Sequence, residues 1–223
     1  TGVDDLRRRD WYLILSNHQS WVDIVVLQRA LNRRIPFLKF FIKQQLIWVP
    51  FLGLAWWAMD MPFMKRFSRA HLKKYPEDRG KDLEATRKSC ERFSEVPTSV
   101  INFVEGTRFT PAKHAAKASP YTHLLGPKAG GIAFALSVMG EQFRSMLDVT
   151  IVYPGGARTF WDMCTGNMPD VIVDVREIAV EPWMREGDYL NDREFRQLFQ
   201  RWLADGWEAK DKRFAELDTL PSA

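Results

Sequence analysis

Three short apolar runs, each stopping at a polar or proline-bearing turn, constrain this chain more than any other feature. WYLIL (Trp11 to Leu15) runs into Ser16-Asn17-His18, TSVINFV (Thr98 to Val104) into Glu105-Gly106-Thr107-Arg108, and the segment from Leu147 to Tyr153 into Pro154. Runs this short and this continuous read as strands buried on both faces. Helical patterns lie between them. Ser20 caps a helix through about Leu31, with Val22, Val25, Val26 and Ala30 as its apolar stripe. A charged helix spans 79–93 with Leu83, Cys90 and Phe93 inward, and Pro127 opens a helix through about Met139. A strand at 171–180 and a long helix at 191–217 follow. Strands alternating with helices predict a single α/β domain over 1–223, with a mostly parallel central sheet flanked by helices. Functional loops are expected at the strands' carboxyl ends.

Charge is distributed unevenly along the chain, although the net value is only +4. From Asp174 to the end there are 12 acids and 8 bases, whereas the interval between Asp23 and Asp60 has no acid and five bases, Arg29, Arg33, Arg34, Lys39 and Lys43. That interval attracts anions, whether anionic lipid, phosphorylated metabolites or simply counterions on a solvated face. Nucleic acid is not expected as a partner, because no recognised binding motif is present and the bases mix with apolar runs. The longest uncharged apolar run, Leu46 to Met59, lies in the same interval. Its 14 residues, broken by Pro50 and Gly53, fall short of the roughly 18 to 20 needed to span a bilayer. It reads either as core or as a segment lying in a membrane interface, where Trp48, Trp56 and Trp57 beside Lys39 and Lys43 would settle. The chain begins at Thr1 with no signal peptide, and a membrane anchor ahead of it is expected. Two cysteines, Cys90 and Cys164, make no disulfide framework and have no zinc-binding neighbours, so no metal is expected and a reducing compartment fits.

Two constellations could carry chemistry. His18 and Asp23 are five residues apart, which on a continuous helix puts them about 140° apart, facing away from each other. They meet only if His18 precedes the helix and folds back over its first turn. An aspartate on one ring nitrogen would then leave the other nitrogen a competent base. The alternative is a capping histidine and an unrelated aspartate. In the second constellation, Gly106 permits close backbone approach, Thr107 offers a hydroxyl and Arg108 a planar fork for phosphate. Lys128, at the predicted start of a helix, adds a cation where free amides also favour anions. Ser20 is better explained as a helix cap than as a nucleophile, and Cys90 sits mid-helix with no base placed near it.

These strings resemble the conserved blocks of the glycerolipid acyltransferase family. NHQSWVD is similar to its NHxxxxD block, and FVEGTR (Phe103 to Arg108) to its EGTR block, 87 residues after His18. Phe63-Met64-Lys65-Arg66 is similar to the intervening block that ends in a substrate-binding arginine, here Arg66, although Asp60-Met61-Pro62 departs from the commoner sequences. Val149-Thr150-Ile151-Val152-Tyr153-Pro154 resembles the last block. The resemblance covers about 11–155, with the strand and long helix at about 171–217 beyond it. It implies transfer of an acyl group from acyl-CoA or acyl carrier protein to the hydroxyl of a lysophospholipid, first of all lysophosphatidic acid giving phosphatidic acid, without covalent intermediate or cofactor. His18 and Asp23 would be catalytic, and Arg66, Glu105, Gly106, Thr107, Arg108 and Lys128 would bind substrate. Glu105 is expected to anchor the glycerol hydroxyl or Arg108. The run most resembles bacterial members with an N-terminal membrane segment, implying the cytoplasmic face of an inner membrane and an anionic membrane surface as partner. Remodelling of another lysophospholipid and a catalytically silent lipid-binding module are the alternatives. The module would have no need of a His/Asp pair.

Overall fold

Strand β1 (Trp11–Ser16) occupies the centre of a five-stranded sheet. Its alternating side chains enter two cores. Tyr12 and Ile14 pack on one face with Leu27 and Leu31, while Leu13 and Leu15 pack on the other with Leu136, Phe199, Leu203 and Trp207. A strand apolar in both directions can only be stable in such a position, where each fully buried large aliphatic side chain contributes about 2 kcal/mol. β5 (Ser99–Phe103) and β6 (Phe143–Val152) pair with β1 on either side, both parallel. β2 (Leu38–Phe40) extends the sheet parallel to β5, and β7 (Ile172–Ala179) closes the other edge antiparallel to β6. β3 (Ile42–Lys43) and β4 (Phe63–Met64) form a separate parallel pair. The structure is a computed structural model and describes residues 2–40, 42–43, 47–49, 51–59, 61, 63–64, 75, 93, 95–168 and 170–220.

The helices among these residues are α1 (Asp23–Ala30), α2 (Leu52–Ala58), α3 (Pro111–Ala116), α4 (Gly130–Met139), α5 (Phe160–Cys164), α6 (Pro182–Glu186) and α7 (Arg193–Asp218). α1 covers one face of the sheet; α4, α6 and α7 cover the other. The chain is thus an α/β fold with a mostly parallel sheet flanked by helices, as its alternating pattern predicts. Among the described residues no helix is long and apolar enough to cross a membrane.

Three local expectations are corrected. α1 begins at Asp23 rather than after Ser20, whose hydroxyl instead donates to the Arg158 carbonyl and accepts the Val22 N–H at 3.1 Å. A turn at 21–22 separates Ser20 from the helix start, so its hydroxyl reaches the Val22 amide and none of the first helical amides. α4 begins at Gly130 rather than at Pro127, and before it the Lys128 N–H donates to the Val104 carbonyl at 2.9 Å, tying that segment to the end of β5. β6 starts at Phe143, earlier than Leu147, since Arg144 faces solvent on an otherwise buried strand and ends the apolar run without ending the strand. The helix expected over 79–93 lies outside the described residues apart from Phe93, which is buried; Cys90 and Arg66 also lie outside them.

Candidate active site

β1, β5 and β6 run parallel, so their carboxyl ends lie side by side, and the candidate residues follow those ends. Where β1 stops, the buried Asn17 side chain takes over its pairing with β6. Its Nδ2 donates to the Ile151 carbonyl at 2.9 Å, and its Oδ1 accepts the Ile151 N–H at 2.8 Å. This side-chain rung lets the backbone leave the sheet without losing register, and His18 comes next.

His18 is held at every backbone and ring position that the fold can reach. Its N–H donates to Glu105 Oε1 at 3.1 Å, its carbonyl accepts the Phe109 N–H at 2.7 Å, and its ring stacks on Phe103 at 4.1 Å between centroids. His18 Nδ1 lies 2.8 Å from Asp23 Oδ2. The pair forms because Asp23 is the first helical residue and the chain before it curls over the helix start. The same Oδ2 accepts the N–H groups of Gln19 at 2.7 Å and Ser20 at 2.9 Å, fixing that curl. Oδ1 accepts the Tyr153 hydroxyl at 2.6 Å. Burial first, then the adjacent Asp23 carboxylate, hold the Tyr153 phenol above its ordinary pKa, so it stays a donor. A carboxylate surrounded by donors has no proton to give, so His18 Nδ1 carries the hydrogen and Nε2 presents a lone pair. The imidazole side chain remains 17% exposed, and no hydrogen bond among the described residues occupies Nε2.

Glu105 does not turn toward Arg108. It is fully buried, and its second oxygen accepts the Leu125 N–H at 3.2 Å. Burial pushes its pKa up to about 7 against the opposing pull of these two amides and of the Lys210 charge; Asp23 adds to the rise. The folded state therefore holds a proton more tightly than the unfolded chain between the ordinary value of 4.5 and about 7. Stability from this group is complete below that window and lost as pH rises through it, by at most about 3 kcal/mol. The unfolding free energy of the wild type minus that of Glu105→Gln, measured by denaturant titration from pH 4.5 to 8, should fall across this range. A rising difference would contradict the assignment.

Gly106 has φ +65°, and a Cβ there would sit 2.9 Å from Lys128 Nζ. The left-handed backbone favours glycine, whereas the lysine end is flexible and could shift to admit a side chain. The Thr107 hydroxyl and the Arg108 carbonyl each accept from Lys113 Nζ at 2.9 Å. The Arg108 guanidinium lies over the Trp21 ring at 4.2 Å, and that ring is 65% exposed. Arg108, Lys113 and Lys128 gather positive charge about one loop, beside a histidine whose outer nitrogen is open. The arrangement can take a proton from a bound hydroxyl and attract an anionic group on the same molecule.

His18, Asp23 and Glu105 thus share one hydrogen-bonded network, and the Lys128 side chain lies over Gly106 where a side chain there would meet it. Asn17, Trp21, Lys113 and Tyr153 were not singled out from sequence. Tyr153 had a signal: it ends the strand beside β1, on the edge where functional loops gather. Lys113 had none, since it reaches the loop only through the helix that follows.

The model of the acyltransferase family matches residues 1–158. 1-acyl-sn-glycerol-3-phosphate acyltransferase gamma of Homo sapiens is 30% identical over 193 residues, covering 75% of this chain and 48% of that protein. Its Mus musculus counterpart is 27% identical over 202 residues, covering 80% and 50%. 1-acyl-sn-glycerol-3-phosphate acyltransferase delta of Mus musculus is 26% identical over 183 residues, covering 76% and 45%. The chain spans about half the length of the curated relatives it matches. With the family match covering both the His18 and the Glu105 loops, this chain belongs to the acyltransferase family.

Proposed function

We propose that this chain transfers an acyl group from a thioester, acyl-CoA or acyl carrier protein, to the free hydroxyl of a lysophospholipid, with lysophosphatidic acid as first candidate and phosphatidic acid as product. The observation that carries this reading is His18, with Nδ1 locked to the buried Asp23 and Nε2 open beside a basic loop. In the reaction, His18 Nε2 takes the proton of the acceptor hydroxyl as its oxygen attacks the thioester carbonyl. The C–O bond forms, the C–S bond breaks, and the imidazolium returns the proton to the departing thiolate. No protein nucleophile is needed, since the acceptor brings its own hydroxyl. The names of the relatives support the choice of acceptor.

The test is turnover of a panel of lysophospholipids with acyl-CoA and acyl carrier protein donors, following the ester product. Failure of every pairing would sink the reading. Arg108 and Lys128 hold the acceptor's phosphate, with Arg66 as a third candidate. Thr107 and Gly106 shape their loop, and Glu105 positions His18 from behind. Arg108→Lys keeps the charge but loses the planar fork, so KM for lysophosphatidic acid should rise about tenfold. An unchanged KM would put phosphate recognition elsewhere.

The same reading places the chain on an anionic membrane surface, from which lipid substrates are reached. Trp48, Phe51, Leu54 and Trp57 are all strongly exposed, with Trp48 at 86% and Phe51 at 90%. Of the two sequence readings of this run, exposure favours the interface, where aromatic insertion adds to the attraction of the basic interval for anionic head groups. Phe51→Ser with Trp57→Ser should weaken binding to phosphatidylglycerol-containing vesicles at least tenfold at unchanged Tm. Equal binding by wild type and variant would assign attachment to another part of the protein.

A further inference from the structure

Helix α7 lies wholly beyond residues 1–158, yet it supports the active site from two directions. Trp207, Lys210, Asp211 and Phe214 follow the three- and four-residue spacing of one helix face. Trp207 Nε1–H donates to the Leu125 carbonyl at 2.9 Å. Asp211 accepts the N–H groups of Thr122 and His123, each at 2.8 Å, and Phe214 stacks on the His123 ring. The segment so held delivers the Leu125 N–H to one oxygen of Glu105, whose other oxygen takes the His18 N–H. The second route runs through the sheet. Lys210 is fully buried, pairs with Asp148 at 2.5 Å, and donates to the carbonyls of Val149 at 2.6 Å and Leu15 at 3.3 Å, on the two strands that Asn17 ties together.

A leucine or methionine would anchor a helix to a sheet without the desolvation cost of a buried ammonium. The ammonium does something an apolar side chain cannot, because its charge is felt by Glu105 while it grips the strand ends behind His18. The other charged groups facing these two are Asp148 and Arg176 beside Lys210, and Asp23 beside Glu105.

We propose that α7 is a positioning element of the active site, in which Trp207, through Leu125, holds Glu105 and the backbone of His18, and Lys210 holds the two strands behind His18, in the arrangement that serves acyl transfer. The proposal rests on His18 as the base. It assigns a role in turnover to a helix outside the part that matches the family.

The test uses the full chain in three variants. Trp207→Phe keeps the ring and removes the donor. Lys210→Met with Asp148→Asn removes the buried charge pair. Phe199→Leu loosens the same helix at a buried site about two turns before Trp207. For each, kcat, KM and Tm are measured, and the His18 ring is titrated by NMR in protein labelled at its four histidines. Trp207→Phe and the double variant should lower kcat about tenfold with KM within twofold, and should move the His18 titration midpoint, since a small misplacement of a reacting group is costly. Phe199→Leu should leave both unchanged at temperatures below its unfolding. A kcat that follows Tm alone across all three, with His18 titrating as in the wild type, would overturn the proposal. Should the double variant not fold, Trp207→Phe against Phe199→Leu decides it. If the wild type acylates no lysophospholipid, the proposed function fails, and the His18 titration still judges the positioning role.

Discussion

Replacing His18 with alanine is expected to lower acyl-transfer turnover by about 10² to 10⁴ while leaving the fold intact. The imidazole is the group whose accessible nitrogen is backed by a buried acid at 2.8 Å, and the proposed reaction needs one proton removed as the ester bond forms. The fold should tolerate the change because Asp23 keeps the Gln19 and Ser20 amides and the Tyr153 hydroxyl as donors. The backbone bonds of residue 18 to Glu105 and Phe109 do not depend on the side chain. Steady-state turnover, with circular dichroism to confirm folding, checks the result. Near-normal activity would end the general-base mechanism.

Asp23→Asn should be nearly as damaging to turnover, and worse for stability. The carboxylate receives four donors and is completely buried. An amide can accept on one side only; its own NH2 then faces a donor. Turned one way it opposes the Tyr153 hydroxyl, and turned the other it opposes the His18 ring and the two amides. In the first orientation the imidazole keeps an acceptor but loses the negative charge that supports its protonated form, and in the second it also loses its fixed tautomer. Turnover should fall by about 10² to 10³, and unfolding free energy by about 3 kcal/mol, as expected when one partner leaves a buried charged network. KM for the lysophospholipid should change far less than kcat. A defect confined to KM would mean that Asp23 serves substrate binding and not the orientation of His18.

Much of the architecture was legible because its signals are local. The short apolar runs at Trp11 to Leu15, Thr98 to Val104 and Leu147 to Tyr153 read as strands covered on both sides, and the residues that stop them marked the edge of the sheet where the candidate site lies. The His18/Asp23 contact was legible as a geometric condition, since it required a helix starting after His18. What was hidden depends on distant partners. Ser20 has the composition of a cap, but a turn at 21–22 separates it from the helix and its hydroxyl hydrogen goes to the distant Arg158 carbonyl. Glu105 looks like an exposed turn residue until Leu125, twenty residues later, brings its amide across. Lys210 sits in EAKDKRFAELD, which reads as a solvated helix, and only the tertiary packing puts that one charge on the sheet. β2 was missed because three residues inside a basic interval carry too little pattern to mark an edge strand.

The strand order has a consequence for how this protein is made. β1 leaves the ribosome before both strands it pairs with, β5 and β6, so the central strand must wait for chain that is about 90 and 130 residues away. At roughly 5 to 20 residues per second, the wait for β6 is about 6 to 26 seconds. During that interval WYLIL is an unpaired, β-prone apolar segment, and closing such distant contacts is slow even once all strands are present. Synthesis of this protein should therefore depend on holdase chaperones, and slowing translation before Phe143 should increase aggregation, whereas slowing it after Val152 should not.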